Sequence, residues 1–145
     1  MTKSMYTNFQ TDRSLEETGI WLDYGPFRVK IARSGGSNKS FARKLEAKTR
    51  PYQRAIKTET MDPAIAERLM REVFAEAVIL DWNIKDAEGK WIVGMELPNG
   101  EIGKPNVETI IAILEEVPEL FSDIQEQANK AANFREALRD ANAGN

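Results

Sequence analysis

Two runs of alternating apolar positions lie near the amino end of the chain. Ile20, Leu22 and Tyr24 alternate with Trp21 and Asp23, and Phe27, Val29 and Ile31 alternate with Arg28, Lys30 and Ala32. A period of two puts each set on one side of a strand. Gly25-Pro26 between the runs marks a turn, so the segment predicts a β-hairpin with one apolar face. Its other face carries Arg28 and Lys30, and Trp21 points the same way. Ser34-Gly35-Gly36-Ser37 then reads as a flexible link, after which Ser37 or Asn38 can cap a helix running to about Thr49, with Phe41, Ala42 and Leu45 on one side.

Further along, the period changes. Ile65, Ala66, Leu69, Met70, Val73, Phe74 and Ala77 recur at spacings of three and four, which predicts a helix from Asp62 to Leu80 with one buried stripe. Asp62 is suited to the N-cap and Pro63 to the first helical position. Between these helices, Pro51 interrupts, and residues 52–60 read as a short helix or a loop. A second hairpin is expected over Asp81–Val93, with Trp82 and Ile84 before an Asp86–Gly89 turn and Trp91 and Val93 after it. Residues 94–105, rich in Gly and Pro, read as a loop. Asn106 caps a helix through Glu116, and Pro118 starts a last helix carrying Leu120, Phe121, Ile124, Ala128, Ala131 and Leu138, which frays from Asn133 onward. The pattern predicts an α+β fold: a helix-dominated single domain over 14–137 with small antiparallel β-hairpins. Residues 1–13 are expected as a mobile arm and 138–145 as a fraying tail.

Composition narrows the chemistry. Among 145 residues there is no histidine and no cysteine, which removes the commonest general base, thiolate ligands and the Ser-His and Cys-His nucleophile pairs. A non-enzyme without cofactor or metal is the expectation. The amino end is polar, and no apolar run approaches the ~20 residues that span a bilayer, so no membrane partner is expected.

Charge adds a location. The net charge is -3, yet Arg28–Lys57 holds ten basic side chains and one acid, Glu46, while residues 58–145 hold eight basic and eighteen acidic ones. Such segregation implies pairing between the two parts or a basic face meant for an acidic partner. The isoelectric point of about 5.2 and the lack of a recognised motif weigh against nucleic acid. Gly35-Gly36 lacks the spacing of a phosphate loop. Trp82, directly after the strongest helix, reads as core. Trp21 reads as an interface residue, since large aromatics dominate docking energetics.

Three stretches, taken in succession, resemble the tail assembly chaperones of siphophage-type bacteriophages. The first runs from Phe27-Arg28-Val29-Lys30-Ile31-Ala32-Arg33 through Asn38 and Phe41. The second is Ala75-Glu76-Ala77-Val78-Ile79-Leu80-Asp81-Trp82 with Asp86-Ala87-Glu88-Gly89-Lys90. The third is Pro105-Asn106-Val107-Glu108 through Leu114, Pro118-Glu119-Leu120-Phe121 and Ala131-Ala132-Asn133-Phe134. The resemblance implies a non-catalytic protein of the host cytoplasm that binds the tape-measure protein, keeps that long hydrophobic helical chain soluble and recruits tail-tube subunits. It is compatible with a homo-oligomer and with a longer frameshifted product. The expected partner-binding residues are Trp21, Arg28, Lys30, Arg33, Asn38 and Arg43. A structural tail or neck protein of the virion is the first rival, and a nucleic-acid-binding regulator using residues 28–57 the second.

Overall fold

Alternation in the two hairpins produces more sheet than either hairpin alone, because their inner strands pair with each other. The computed structural model describes residues 5–135. In it, helices α1 (Met5–Phe9) and α2 (Arg13–Thr18) precede strands β1 (Ile20–Asp23) and β2 (Phe27–Ile31). Helix α3 (Lys39–Thr49), a 3-10 turn at Arg50–Tyr52 and α4 (Gln53–Lys57) lead to α5 (Pro63–Ala77). Strands β3 (Ile79–Lys85), β4 (Trp91–Val93), β5 (Met95–Glu96) and β6 (Ile102–Gly103) follow. The described chain closes with α6 (Val107–Glu116), α7 (Pro118–Asn129) and a 3-10 turn at Ala131–Phe134. This is an α+β single domain, with a four-stranded antiparallel sheet in the order β1-β2-β3-β4 and a two-stranded sheet β5-β6.

The register explains which side chains are buried. Val29 lies opposite Leu22 and Trp82, and Phe27 opposite Ile84, so the apolar sets of three strands share one face. A register shift between Lys30 and Ile31 lets β3 start next to the end of α5. On the inner face Phe74 of α5 meets Phe41 and Phe121 edge-on, at 5.9 and 5.4 Å between ring centroids. Tyr24, Phe27 and Trp82 stack in series. The Tyr24 hydroxyl donates to Asp123 Oδ2 at 2.6 Å, pinning the first hairpin to α7. Burial together with that carboxylate raises the Tyr24 pKa well above its ordinary value.

Several expectations are met locally. Asp62 Oδ1 accepts from the Ala64 amide and Asn106 Oδ1 from the Thr109 amide, both as N-caps. Others are corrected by contacts distant in sequence. The helix begun at Asp62 ends at Ala77, not Leu80, because Ile79 already pairs with Ile31. The expected loop 94–105 holds β5 and β6. Residues 52–60 contain the short helix α4.

The reading of 1–13 as an arm misses α1 and two ties. Thr11 bridges Arg135, and the Asp12 amide donates to the Phe134 carbonyl at 2.8 Å. The last helix stops at Asn129, two residues before Ala131, and the expected fraying from Asn133 is contradicted by Phe134, which is fully buried. Leu138 and the tail 138–145 lie outside the described residues.

Candidate docking surface

The outer face of the four-stranded sheet carries the side chains that alternation turned away from the core. The register sets Trp21 opposite Lys30, Arg28 opposite both Asp23 and Asn83, Lys30 opposite Asp81, and Lys85 opposite Trp91. Arg28 is the centre of this face. Its guanidinium carbon lies 4.0 Å from the Trp21 ring centroid and 4.7 Å from that of Trp91, so the group is held between two indoles. Its Nε donates to Asn83 Oδ1 at 3.0 Å. Lys30 approaches Trp21 at 5.8 Å and Lys85 approaches Trp91 at 5.0 Å. Each such contact contributes about 0.5–1 kcal/mol at an exposed site.

Acidic neighbours on this face are engaged elsewhere. Asp23 Oδ1 accepts from the Gly25 amide at 2.8 Å, and Asp81 Oδ1 from the Trp82 amide at 2.8 Å. Among the described residues, neither carboxylate forms an ion pair with the cations directly across from it, nor do Arg28, Lys30 and Lys85 form one with any other acid.

The remaining cations of the basic segment have other destinations. Arg33 Nη1 bonds Glu16 Oε2 at 2.7 Å, and Glu16 is only 1% exposed. Burial of Glu16 opposes its ionisation. The Arg33 guanidinium, the Thr11 hydroxyl and the Ser37 amide outweigh burial and hold the carboxyl below the ordinary carboxylate value. Gly36, at φ +54°, belongs to this arrangement: a Cβ there would sit 1.9 Å from Glu16 Oε2. Of the glycine pair that invites a phosphate-loop reading, Gly36 thus packs against the protein's own carboxylate, and a Cβ at Gly35 would meet open space.

Lys48 of α3 bonds Glu76 and Glu72 of α5 at 2.9 and 3.2 Å, and the carboxylates, Glu76 foremost, raise its pKa against the effect of partial burial. Lys44 reaches Glu76 at 3.9 Å.

Of the six expected partner-binding residues, the structure gathers Trp21, Arg28 and Lys30. Arg33 is committed to Glu16. Asn38 is 5% exposed, and its amide nitrogen donates to the carbonyls of Arg33 and Ala77 at 2.8 and 3.0 Å, tying the link to the end of α5. It caps α3 without the expected side-chain bond, and a surface role does not fit its burial. Arg43 is exposed, on α3 and not on the sheet.

Sequence reasoning missed Lys85, Asn83 and Trp91. The expected hairpin, with Trp82 and Ile84 before the turn and Trp91 and Val93 after it, does not specify a register; in the structure the Asp86 amide donates to the Lys90 carbonyl and Ile84 opposes Ile92. That register puts Trp91 and Val93 beside Asn83 and Lys85 on the outer face.

A second surface feature is an apolar groove of about 320 Å³ between α3, α4 and α5, lined by Leu45, Ile56, Met61, Leu69 and Met70 among others. Among the described residues, no three acidic side chains come together as a metal site, and no helix is long and apolar enough to cross a membrane.

A family model described as YdaY prophage protein matches residues 36–145. Comparison with curated proteins and with solved structures gives no match.

Proposed function

The chain belongs to the YdaY prophage protein family, a phage-derived family, and from that premise we propose that it is a non-catalytic tail assembly chaperone that binds the tape-measure protein in the host cytoplasm. The observation that carries this reading is the gathering of Trp21, Arg28 and Lys30 with Trp91 and Lys85 on one sheet face. Trp and Arg are the residue types over-represented among the anchors of protein interfaces. The groove lined by Leu45, Ile56 and Met70 offers apolar surface to a hydrophobic helix, and methionines adapt such grooves to varied side chains. In this division, apolar docking supplies affinity, and the cationic sheet face supplies orientation and association rate.

The test is co-expression with a tape-measure protein of a long-tailed phage, with and without this chain. Expected is a soluble, co-purifying tape-measure protein only when the chain is present, and no copy of the chain in purified particles. An insoluble tape-measure protein in both cases, or stoichiometric presence in the particle, overturns the reading; the second result makes the chain a structural component of the virion.

A further inference from the structure

We propose that Arg28, gripped between Trp21 and Trp91, is a receptor for a single carboxylate on an acidic, apolar-flanked segment of a protein partner. The proposal rests on the docking role given above and specifies the chemistry of what docks.

A guanidinium has five N–H donors in a rigid plane, and a carboxylate accepts two of them in parallel. In Arg28 the Nε–H is spent on Asn83 at 3.0 Å. The two indoles, with centroids 4.0 and 4.7 Å from the guanidinium carbon, limit where the group can move. The Nη groups make no hydrogen bond among the described residues. A donor fork fixed in this way has lost most of its rotamer freedom before a ligand arrives, so little further ordering is needed on binding. Lys30 and Lys85 flank the slot and add positive potential.

Most telling is the behaviour of the two carboxylates already on this face. Asp23 sits directly opposite Arg28 yet turns to the Gly25 amide, and Asp81 sits opposite Lys30 yet turns to the Trp82 amide. Charge that could have been neutralised across the strands stays available. Val93, 65% exposed, and the half-buried indoles give the slot an apolar border on which neighbouring side chains of the partner can lie.

The same features disfavour a nucleic-acid strand. Its continuous phosphates would run past Asp23 and Asp81, where like charges repel. Arg28 already occupies one face of each indole, which leaves less of either ring free to stack a base.

The experiment titrates the full chain, by tryptophan fluorescence, with a short peptide of alternating Leu and Glu, with its Leu/Gln counterpart and with an oligo-dT strand. It is repeated with Arg28→Gln, Arg28→Lys and the double variant Lys30→Gln/Lys85→Gln. The Leu/Glu peptide is expected to bind and the Leu/Gln peptide to bind at least tenfold more weakly, on the order expected for hydrogen bonds to a charged group. Arg28→Gln should lose a similar factor. Arg28→Lys should not restore binding, because lysine keeps the charge without the fork.

Equal affinity for both peptides, full rescue by lysine, or preferential binding of oligo-dT overturns the proposal. If Arg28→Gln does not fold, the Lys30/Lys85 variant decides: a loss of roughly threefold or more supports the slot, and no loss overturns it. Because the peptides are independent of the tape-measure protein, failure of the chaperone reading leaves this result intact, and failure here with intact tape-measure capture removes only the slot.

Discussion

Arg28 and Arg33 stand five residues apart in the same basic segment, and they illustrate opposite uses of one side chain. Arg33 reaches back to a buried carboxylate and closes a loop around it, with Thr11 and Ser37 bonded to the same carboxylate and no room for a Cβ at Gly36. Arg28 faces out from the sheet, stacked between indoles, while the acid opposite it is satisfied by a turn amide. A run of like charges therefore does not have one purpose. What decides is whether the strand register or loop brings a buried carboxylate within reach: Arg33 has Glu16, whereas the buried acceptor beside Arg28 is the neutral amide of Asn83.

Removing the buried acceptor should have the largest effect on stability. Glu16→Gln leaves Arg33 without its counter-charge, at a cost of about 3 kcal/mol, the lower end for breaking a buried pair because Arg33 keeps some exposure. Urea unfolding measures it. Arg28→Gln, by contrast, should cost about 1–2 kcal/mol in the same measurement, the sum of two modest cation–π contacts, while weakening peptide binding at least tenfold. Comparable losses of stability in the two variants would remove the distinction drawn here.

Gly36→Ala probes the same loop from the backbone side. The left-handed φ and the 1.9 Å approach to Glu16 Oε2 set a cost of about 2 kcal/mol. Combined with Glu16→Gln, the loss should be smaller than the sum, since both changes disrupt one arrangement.

The pair also has a pH signature. The folded-state pKa of Glu16 lies below its ordinary value of 4.5. The unfolded chain therefore takes up a proton first as pH falls, and stability from this carboxylate is present above pH 4.5 and lost as pH drops through the folded value. Urea midpoints at about pH 7 and about pH 3.5 should differ more for the native chain than for Glu16→Gln. An equal drop in both would place the acid sensitivity elsewhere.

How far the sequence revealed this depends on the range of the contacts. Helix α5 with its Asp62 cap and the first hairpin are local patterns, and both were legible. Trp21, Arg28 and Lys30 were legible as a set because alternation within one hairpin assigns a face without reference to the rest of the chain. Pairing of β2 with β3 was not, since Val29 and Trp82 are far apart in sequence. Trp91 was hidden by a register set in the Asp86–Lys90 turn. Phe134 looked like part of a fraying end because its partner, the Asp12 amide, lies at the other end of the domain. Arg33 and Asn38 were misplaced for a related reason: both side chains reach acceptors, on Glu16 and Ala77, that no periodicity announces.

The smallest effect belongs to the third destination of the basic segment, the seam between α3 and α5. Lys48 lies between Glu72 and Glu76 at 3.2 and 2.9 Å, but all three side chains keep about a quarter of their surface in water. Water screens such a pair and the long lysine chain loses freedom on holding it, so Lys48→Ala should cost only about 0.5–1 kcal/mol. Lys44→Ala, with one contact at 3.9 Å and more exposure, should cost less still. Raising salt to about 1 M, where the screening length falls to about 3 Å, should shrink the Lys48 effect while leaving most of the Glu16→Gln effect, because salt does not enter the loop that surrounds Glu16. Equal salt sensitivity of the two variants would mean that the loop is wetter than its geometry implies, and Arg33 would then no longer stand as the buried counterpart of Arg28.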